Sequence, residues 1–549
     1  MKTEDLYRDD RNPEKLLLRN CTVRERKDSW YERGAIVIEK GYIKATGPEK
    51  ALLGRYGDYP DRDLGGRTVL AGFNDAHLHF YQLGKDMNST DLSHVSSLNE
   101  LKATIRDWSW NRKTAEEGLV RAVRLDDSRL PGGKLPGREE LDRIMPGRPL
   151  LVERICYHAA AVNSKALEYA GIDAGSDDPE GGRIGRDRKG RPDGRLYDAA
   201  VNLIKEKLPS PGPRQRREHL LQAGSELLSE GITSVTADDL GAESDPGSTL
   251  TAYEMLVRSG EPHPRLHLEQ RVEKKEDIAW LKENSSRPGR GDIWLRFGPL
   301  KIMLDGSLGA ETAALTSPYA GGKNRGDLLL EKEKLQSLME KGYEYGFYAD
   351  IHAIGDRAIE TVIRAYEDIE REKDDIRPPN IVHCQLPNPD QIERMAALNI
   401  KAIIQPAFVG SDWKIARERL SEEQLEKAYA WRSMAGAGVK IAGSSDAPIE
   451  SVDPLPGIHR AVTRQDGSGR PPGGFKPEEK LTLETALDLF TTAGADFSGE
   501  AEIKGSLRPG QLADMALISS DPRRVKPEEI KDLRVEETYL GGTRVYSSR

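Results

Sequence analysis

The sequence predicts an α/β chain: a (β/α)8 TIM barrel, a small β-sandwich domain built from both chain ends, and an insertion after the first barrel strand. Three observations predict it. Short apolar segments alternate with helical stretches through the middle of the chain, which is the pattern of βα units around a parallel sheet. Both ends are rich in strand-like runs broken by turn residues. The gap between the first two barrel segments is far too long for a βα loop.

At 549 residues the chain exceeds the usual size of one core. The expected division is a sandwich from 1–67 and 500–549, a barrel over 68–499, and an inserted substrate-pocket region at 91–215. Strand-like runs in the first part cover 16–23, 35–39 and 42–45, with Gly41 at a turn; those at the other end cover 515–518, 538–540 and 544–546, with Gly541-Gly542 between the last two. Two separate terminal hairpins are the alternative arrangement. The barrel strands are expected at 68–70, 234–236, 265–268, 300–304, 348–351, 381–382, 402–404 and 439–442, with helices such as 358–370 and 391–398 between them. A doubly wound open sheet is the structural alternative. The Gly- and Pro-rich stretch 171–194 reads as the loop-like part of the insertion.

Composition narrows the function classes. Hydrophobic residues make up 37% and charged residues 32%, and the formal net charge is -9, which argues against a nucleic-acid binder. The three cysteines, Cys21, Cys156 and Cys384, are too scattered for a disulfide framework or a Cys-x-x-Cys metal site. The polar start of the chain has no apolar signal core, and no apolar run reaches the roughly 18–20 residues that cross a bilayer. A cytoplasmic protein acting on a small molecule, with no membrane and no nucleic acid as partner, is the expectation.

The strongest local signal is Asp75-Ala76-His77-Leu78-His79, just past the first strand segment. In extended chain residues i and i+2 point the same way, so His77 and His79 can offer two imidazoles to one ion. An isolated pair of this kind also occurs as ordinary surface or core histidine. Here it has company among only ten histidines. His352 follows the fifth strand segment, His383 the sixth and Asp446 the eighth, while Lys301 lies in the fourth. Side chains at the C-terminal strand ends of a barrel converge on one mouth. His94, His219, His263, His267 and His459 lack strand-end context and read as structural or surface groups, although His267 falls inside the third strand.

On these residues the chain resembles the amidohydrolase superfamily, within it the branch that includes N-substituted formamide deformylase. The branch-level match rests on 301–309, beginning Lys301-Ile302-Met303-Leu304-Asp305-Gly306, on His352-Ala353-Ile354-Gly355-Asp356, and on 231–235 and 505–514. The resemblance implies hydrolysis of a carboxamide, formamide or cyclic amide by a metal-activated water. It implies one or two divalent ions, zinc being suited by the imidazoles, on His77, His79, Lys301, His352, His383 and Asp446. In similar proteins the strand-four lysine carries a CO2-derived carboxyl group that bridges two metals; a salt-bridged or substrate-facing Lys301 and a mononuclear site on His77, His79 and Asp446 stay open. Asp446 is the expected general base, with His158 assisting at the carbonyl. Arg154, His158 and Asn163 match a substrate-pocket pattern of the branch, although Cys156 and Tyr157 depart from its small or acidic residues. A homodimer is what similar proteins suggest. A lactone or phosphoester hydrolase on the same site, and a non-catalytic barrel scaffold, are the competing readings.

Overall fold

Eight buried strands pair in parallel, in chain order, into one sheet that curls around a common axis: β1 (Phe73–Leu78), β2 (Ile232–Leu240), β3 (Arg265–Arg271), β4 (Leu295–Met303), β5 (Ala349–Ala353), β6 (Asn380–His383), β7 (Lys401–Ile404) and β8 (Ile441–Gly443). Beyond the end of β8 the chain returns to β1, where Asp446 N donates to His77 O at 3.1 Å and His79 N to Ala447 O at 2.8 Å. These bonds bring the first and last strands together at the C-terminal mouth. The computed structural model describes residues 12–111, 119–155, 157, 159–179, 182–207, 211–242, 245–285, 288–372 and 376–548.

Helices clothe the barrel because their apolar residues recur at helical spacing. The stretch expected at 358–370 runs Asp356–Glu372, and Ala358, Ile359, Val362, Ile363, Tyr366 and Ile369 form its buried stripe. Pro389–Ala397 starts after Asn388, whose side chain accepts from Gln391 N.

The chain divides into two compact units, Met1–Phe80 with Ala223–Arg549, and Tyr81–Gln222. In the first, strands from both chain ends share an eight-stranded sheet. Met515–Ile518 pairs antiparallel with Thr68–Ala71, which pairs in parallel with Lys15–Arg26. This excludes two separate hairpins and corrects one assignment. Thr68–Ala71 belongs to the terminal sheet, and the first barrel strand is Phe73–Leu78. Both are short and fully buried, so periodicity does not tell them apart, and Asp75 and His77 break the apolar run that would have marked the true strand. Between them Gly72 packs so closely that a Cβ would sit 2.2 Å from the Thr233 hydroxyl oxygen. Arg265 locks barrel to sheet through a bidentate ion pair with Asp514 at 2.6 and 2.9 Å, both side chains buried.

The second unit has its own six-stranded sheet, ordered Gly182–Arg186, Pro192–Asp198, Ala159–Val162, Leu150–Arg154, Val120–Leu125, Thr90–Asp91. Leu150 and Val152 face one apolar cluster and Leu151 the other, the period-two alternation of a sheet buried on both sides. The stretch expected to be loop-like, 171–194, supplies much of a hairpin instead; its Gly182-Arg183-Ile184-Gly185-Arg186 strand shows little apolar alternation for a sequence reading to detect. Among the described residues no helix is long and apolar enough to cross a membrane.

Candidate metal centre

Five strands deliver side chains to one place. His77 is the penultimate residue of β1 and His79 lies just beyond it; Lys301 is in β4, His352 in β5, His383 ends β6, and Asp446 follows β8. His77 Nε2 lies 3.4 Å and His79 Nε2 3.2 Å from the same atom, Asp446 Oδ1. Lys301, 1% exposed, places Nζ 3.2 Å from His77 Nε2. The His77 and His383 ring centroids are 6.1 Å apart, and those of His383 and His352 4.4 Å. His77, His79 and Asp446 form one set whose donor atoms lie within 4.8 Å of one another. His352 and His383 stand beside that set as a second pair.

Each imidazole is oriented from behind. His77 Nδ1 meets the Glu269 carboxylate at 3.1 Å, His79 Nδ1 the Asp238 carbonyl at 3.3 Å, and His383 Nδ1 the Gln405 side-chain oxygen at 2.9 Å. Each therefore keeps Nε2 for the centre. His352 is engaged the other way round, Nε2 to Gly306 O at 3.1 Å, which leaves Nδ1. Such outer partners fix tautomer and ring orientation in metal sites. Gln405 is itself held, its amide nitrogen donating to the Ser444 hydroxyl at 2.9 Å.

The supporting acids were not found from sequence. Asp238 ends up beside Glu269 because β2 and β3 pair in that register, and Arg271 binds both Asp238 oxygens. Burial opposes ionisation of Asp238, but Arg271, Lys301 and His79 hold it well below the usual range. Burial and Glu269 push the Asp350 carboxyl well above its usual range, while Glu269, against its own burial, is drawn down to about 2 by Lys301 and His77. Asp350 thus carries the proton that the two carboxyls share, and Asn380 donates to it at 2.7 Å. Asp305 accepts from the backbone N–H groups of Ala314, Ile354 and Gly355 at 2.9–3.0 Å, tying the turn after His352 to the loop after β4. The only sequence signal for these groups is acidic residues near the ends of buried strands.

The electrostatics suit a cation. Burial disfavours charge on His77, His352 and His383. It takes His383 down to about 3, and burial together with His383 and Lys301 takes His352 well below its usual value, which favours neutral imidazoles at both positions. At His77 burial and Lys301 also oppose protonation, yet Glu269 and Asp446 outweigh them and raise it to about 9. Asp446 is held well below the usual range by His77 and His79 although burial opposes it. Its Oδ1 is buried and, among the described residues, has no hydrogen-bond donor. Such an acceptor is costly unless a cation completes it. The residues present therefore fit a divalent metal. The backbone is held in the left-handed region at His383 (φ 77°), Cys384 (46°) and Asp446 (57°), a conformation sustained at sites where surrounding structure enforces it.

The second unit holds the remaining candidates. Asn163, expected at the substrate pocket, is engaged within its own unit. It is 0% exposed, its oxygen accepts from Leu150 N and Ala166 N, and its nitrogen donates to Met145 O and Arg148 O. No donor or acceptor is left for a substrate, and its role is to cap the helix Ser164–Ala170. Arg154 ends the strand Leu150–Arg154 with its side chain a third exposed, Nε donating to Asp127 at 2.7 Å. His158 and Cys156 lie outside the described residues.

Comparison with known proteins agrees with this geometry. The model of the amidohydrolase family matches residues 62–546. The chain is similar to the putative amidohydrolase YtcJ of Bacillus subtilis, 32% identical over 93% of this chain and 96% of the relative. It is also similar to the N-substituted formamide deformylase of Arthrobacter pascens, 27% identical over 93% of this chain and 94% of the relative. Among solved structures it resembles an uncharacterized metal-dependent hydrolase from Pyrococcus furiosus, with a TM-score of 0.74, 27% identity, and coverage of 92% of this chain and 99% of the other.

Proposed function

The chain belongs to the amidohydrolase family, and from that membership we propose that it hydrolyses a non-peptide carbon–nitrogen bond in a small carboxamide, formamide or cyclic amide. The observation that carries the reading is Asp446 Oδ1, a buried carboxylate oxygen with no donor among the described residues, 3.2 and 3.4 Å from two imidazole nitrogens. His77, His79 and Asp446 would hold one divalent cation, and His352 and His383 a second. The imidazole-rich donor set suits zinc.

Lys301 has no oxygen to offer an ion. As a free amine it could add CO2 with loss of one proton, and the resulting N-carboxylate would offer oxygen ligands to the centre. A bound divalent cation would polarise the substrate carbonyl and lower the pKa of water from 15.7 towards about 7. Asp446 takes one proton from the attacking water as its oxygen bonds to the carbonyl carbon. When the C–N bond breaks, Asp446 returns that proton to the departing nitrogen, so acid and amine products balance one water consumed. Glu269, Asp238 and Gln405 hold the rings in place while the charge moves.

The test combines metal analysis of the purified enzyme with a substrate panel of formamides, N-acyl amines, cyclic amides, lactones and phosphotriesters. Bound divalent metal and turnover confined to the C–N substrates are expected. Metal-replete protein that turns over only lactones or phosphotriesters overturns the bond class, and protein that takes up no metal overturns the centre.

A further inference from the structure

Arg464 closes the helix Pro454–Thr463 in the left-handed region, φ 61°. That position usually falls to glycine because a side chain there is strained. Instead of reaching for solvent, the arginine turns inward and is 0% exposed. Nε donates to Phe475 O at 2.9 Å. The guanidinium carbon lies 4.3 Å from the centre of the Trp431 ring and 5.9 Å from that of Phe475. Nη1 and Nη2 are buried and, among the described residues, have no hydrogen-bond partner.

The charged and titratable groups around it do not answer that edge. Glu479 is the acid that acts most strongly on Arg464, but its two oxygens accept from the Ser433 backbone N–H and hydroxyl. Tyr429 sends its hydroxyl to Asp412 at 2.8 Å. Glu478 is exposed. Burial pulls the guanidinium down to about 10, which still leaves it cationic at neutral pH. One residue thus combines a left-handed backbone, a buried charge and unsatisfied N–H groups. Each is unfavourable alone, and a counter-ion offsets the last two together.

We propose that the Nη edge of Arg464 holds a small monovalent inorganic anion, of the size and charge of chloride, inside the fold. The ion would join the end of the helix that follows β8 to the segment between β7 and β8, where Tyr429 N also bonds to Gln385 O at 2.6 Å. That contact lies two residues from His383, so the anion braces the barrel mouth from outside the metal centre. The inference does not depend on which bond the enzyme cleaves.

The experiment measures the melting temperature of the metal-loaded protein while gluconate is exchanged for chloride at constant ionic strength. It is paired with anomalous diffraction from crystals grown in bromide. The melting temperature should rise with the logarithm of chloride concentration, by about 2 °C or more between about 1 and 200 mM, as for an ion that binds only the folded state. A bromide peak should lie within hydrogen-bond distance of Nη1 or Nη2. In Arg464→Met, an apolar replacement of similar length, the chloride dependence should vanish. A flat wild-type response, water in place of bromide, or an equal response in Arg464→Met overturns the proposal. If that variant does not fold, the bromide map of the wild-type protein decides.

Discussion

Replacing Glu269 by glutamine separates charge from shape behind His77, the first proposed metal ligand. The carboxylate is 0% exposed and accepts from His77 Nδ1 at 3.1 Å. Glutamine keeps an oxygen for that bond and fills the same volume, so the ring should stay in place. What disappears is the negative charge that makes Nε2 a better donor. Outer-partner substitutions of this kind weaken metal binding about 10–100-fold, or about 1.4–2.7 kcal/mol. The low end is expected here because the hydrogen bond survives. Glu269→Ala removes orientation as well and should reach the high end. The assay is competition of metal-depleted enzyme against a chromophoric zinc chelator, with circular dichroism confirming an intact fold. A glutamine variant whose affinity stays within about twofold of wild type would refute the view that Glu269 tunes the ligand.

Three further outcomes are expected. Asp446→Asn should lower kcat by about a hundredfold or more while part of the metal stays bound, read by steady-state kinetics and metal analysis together; near-wild-type turnover removes Asp446 from the proton-transfer role. Asn163→Ala strips the bonds at Leu150, Ala166, Met145 and Arg148 and should cost about 2–4 kcal/mol in denaturant unfolding, while leaving KM near wild type at low temperature; a selective rise in KM would return Asn163 to the substrate pocket. Glu153 is 0% exposed between Arg121 and Lys205, which draw it down to about 2 from 4.5 even though burial opposes this. Because its folded value is depressed, its stabilisation is full above pH 4.5 and is lost as pH falls towards 2, up to about 3 kcal/mol at about 1.4 per unit. Glu153→Gln should flatten that acid limb of the unfolding curve; an unchanged slope contradicts the assignment.

The linear order of residues was enough to predict which side chains stand at the strand ends of one barrel mouth. A histidine pair in extended chain must face one way, and side chains at C-terminal barrel strand ends must converge, so His77, His79, Lys301, His352, His383 and Asp446 were all legible before any coordinates. So was the pairing of the two chain ends. Which sheet owned Thr68–Ala71 was not, because two buried strands joined at Gly72 look alike when only periodicity is read. The outer layer of the site was hidden for a different reason. Glu269 lies behind His77, and Gln405 behind His383, only through the register and curvature that set one strand against another, and a one-residue slip would turn each of them to the opposite face. The left-handed turns at His383 and Asp446, and the inward Arg464, belong to this class as well. No local preference of histidine, aspartate or arginine selects those conformations; the packing of the loops above β6 and β8 enforces them.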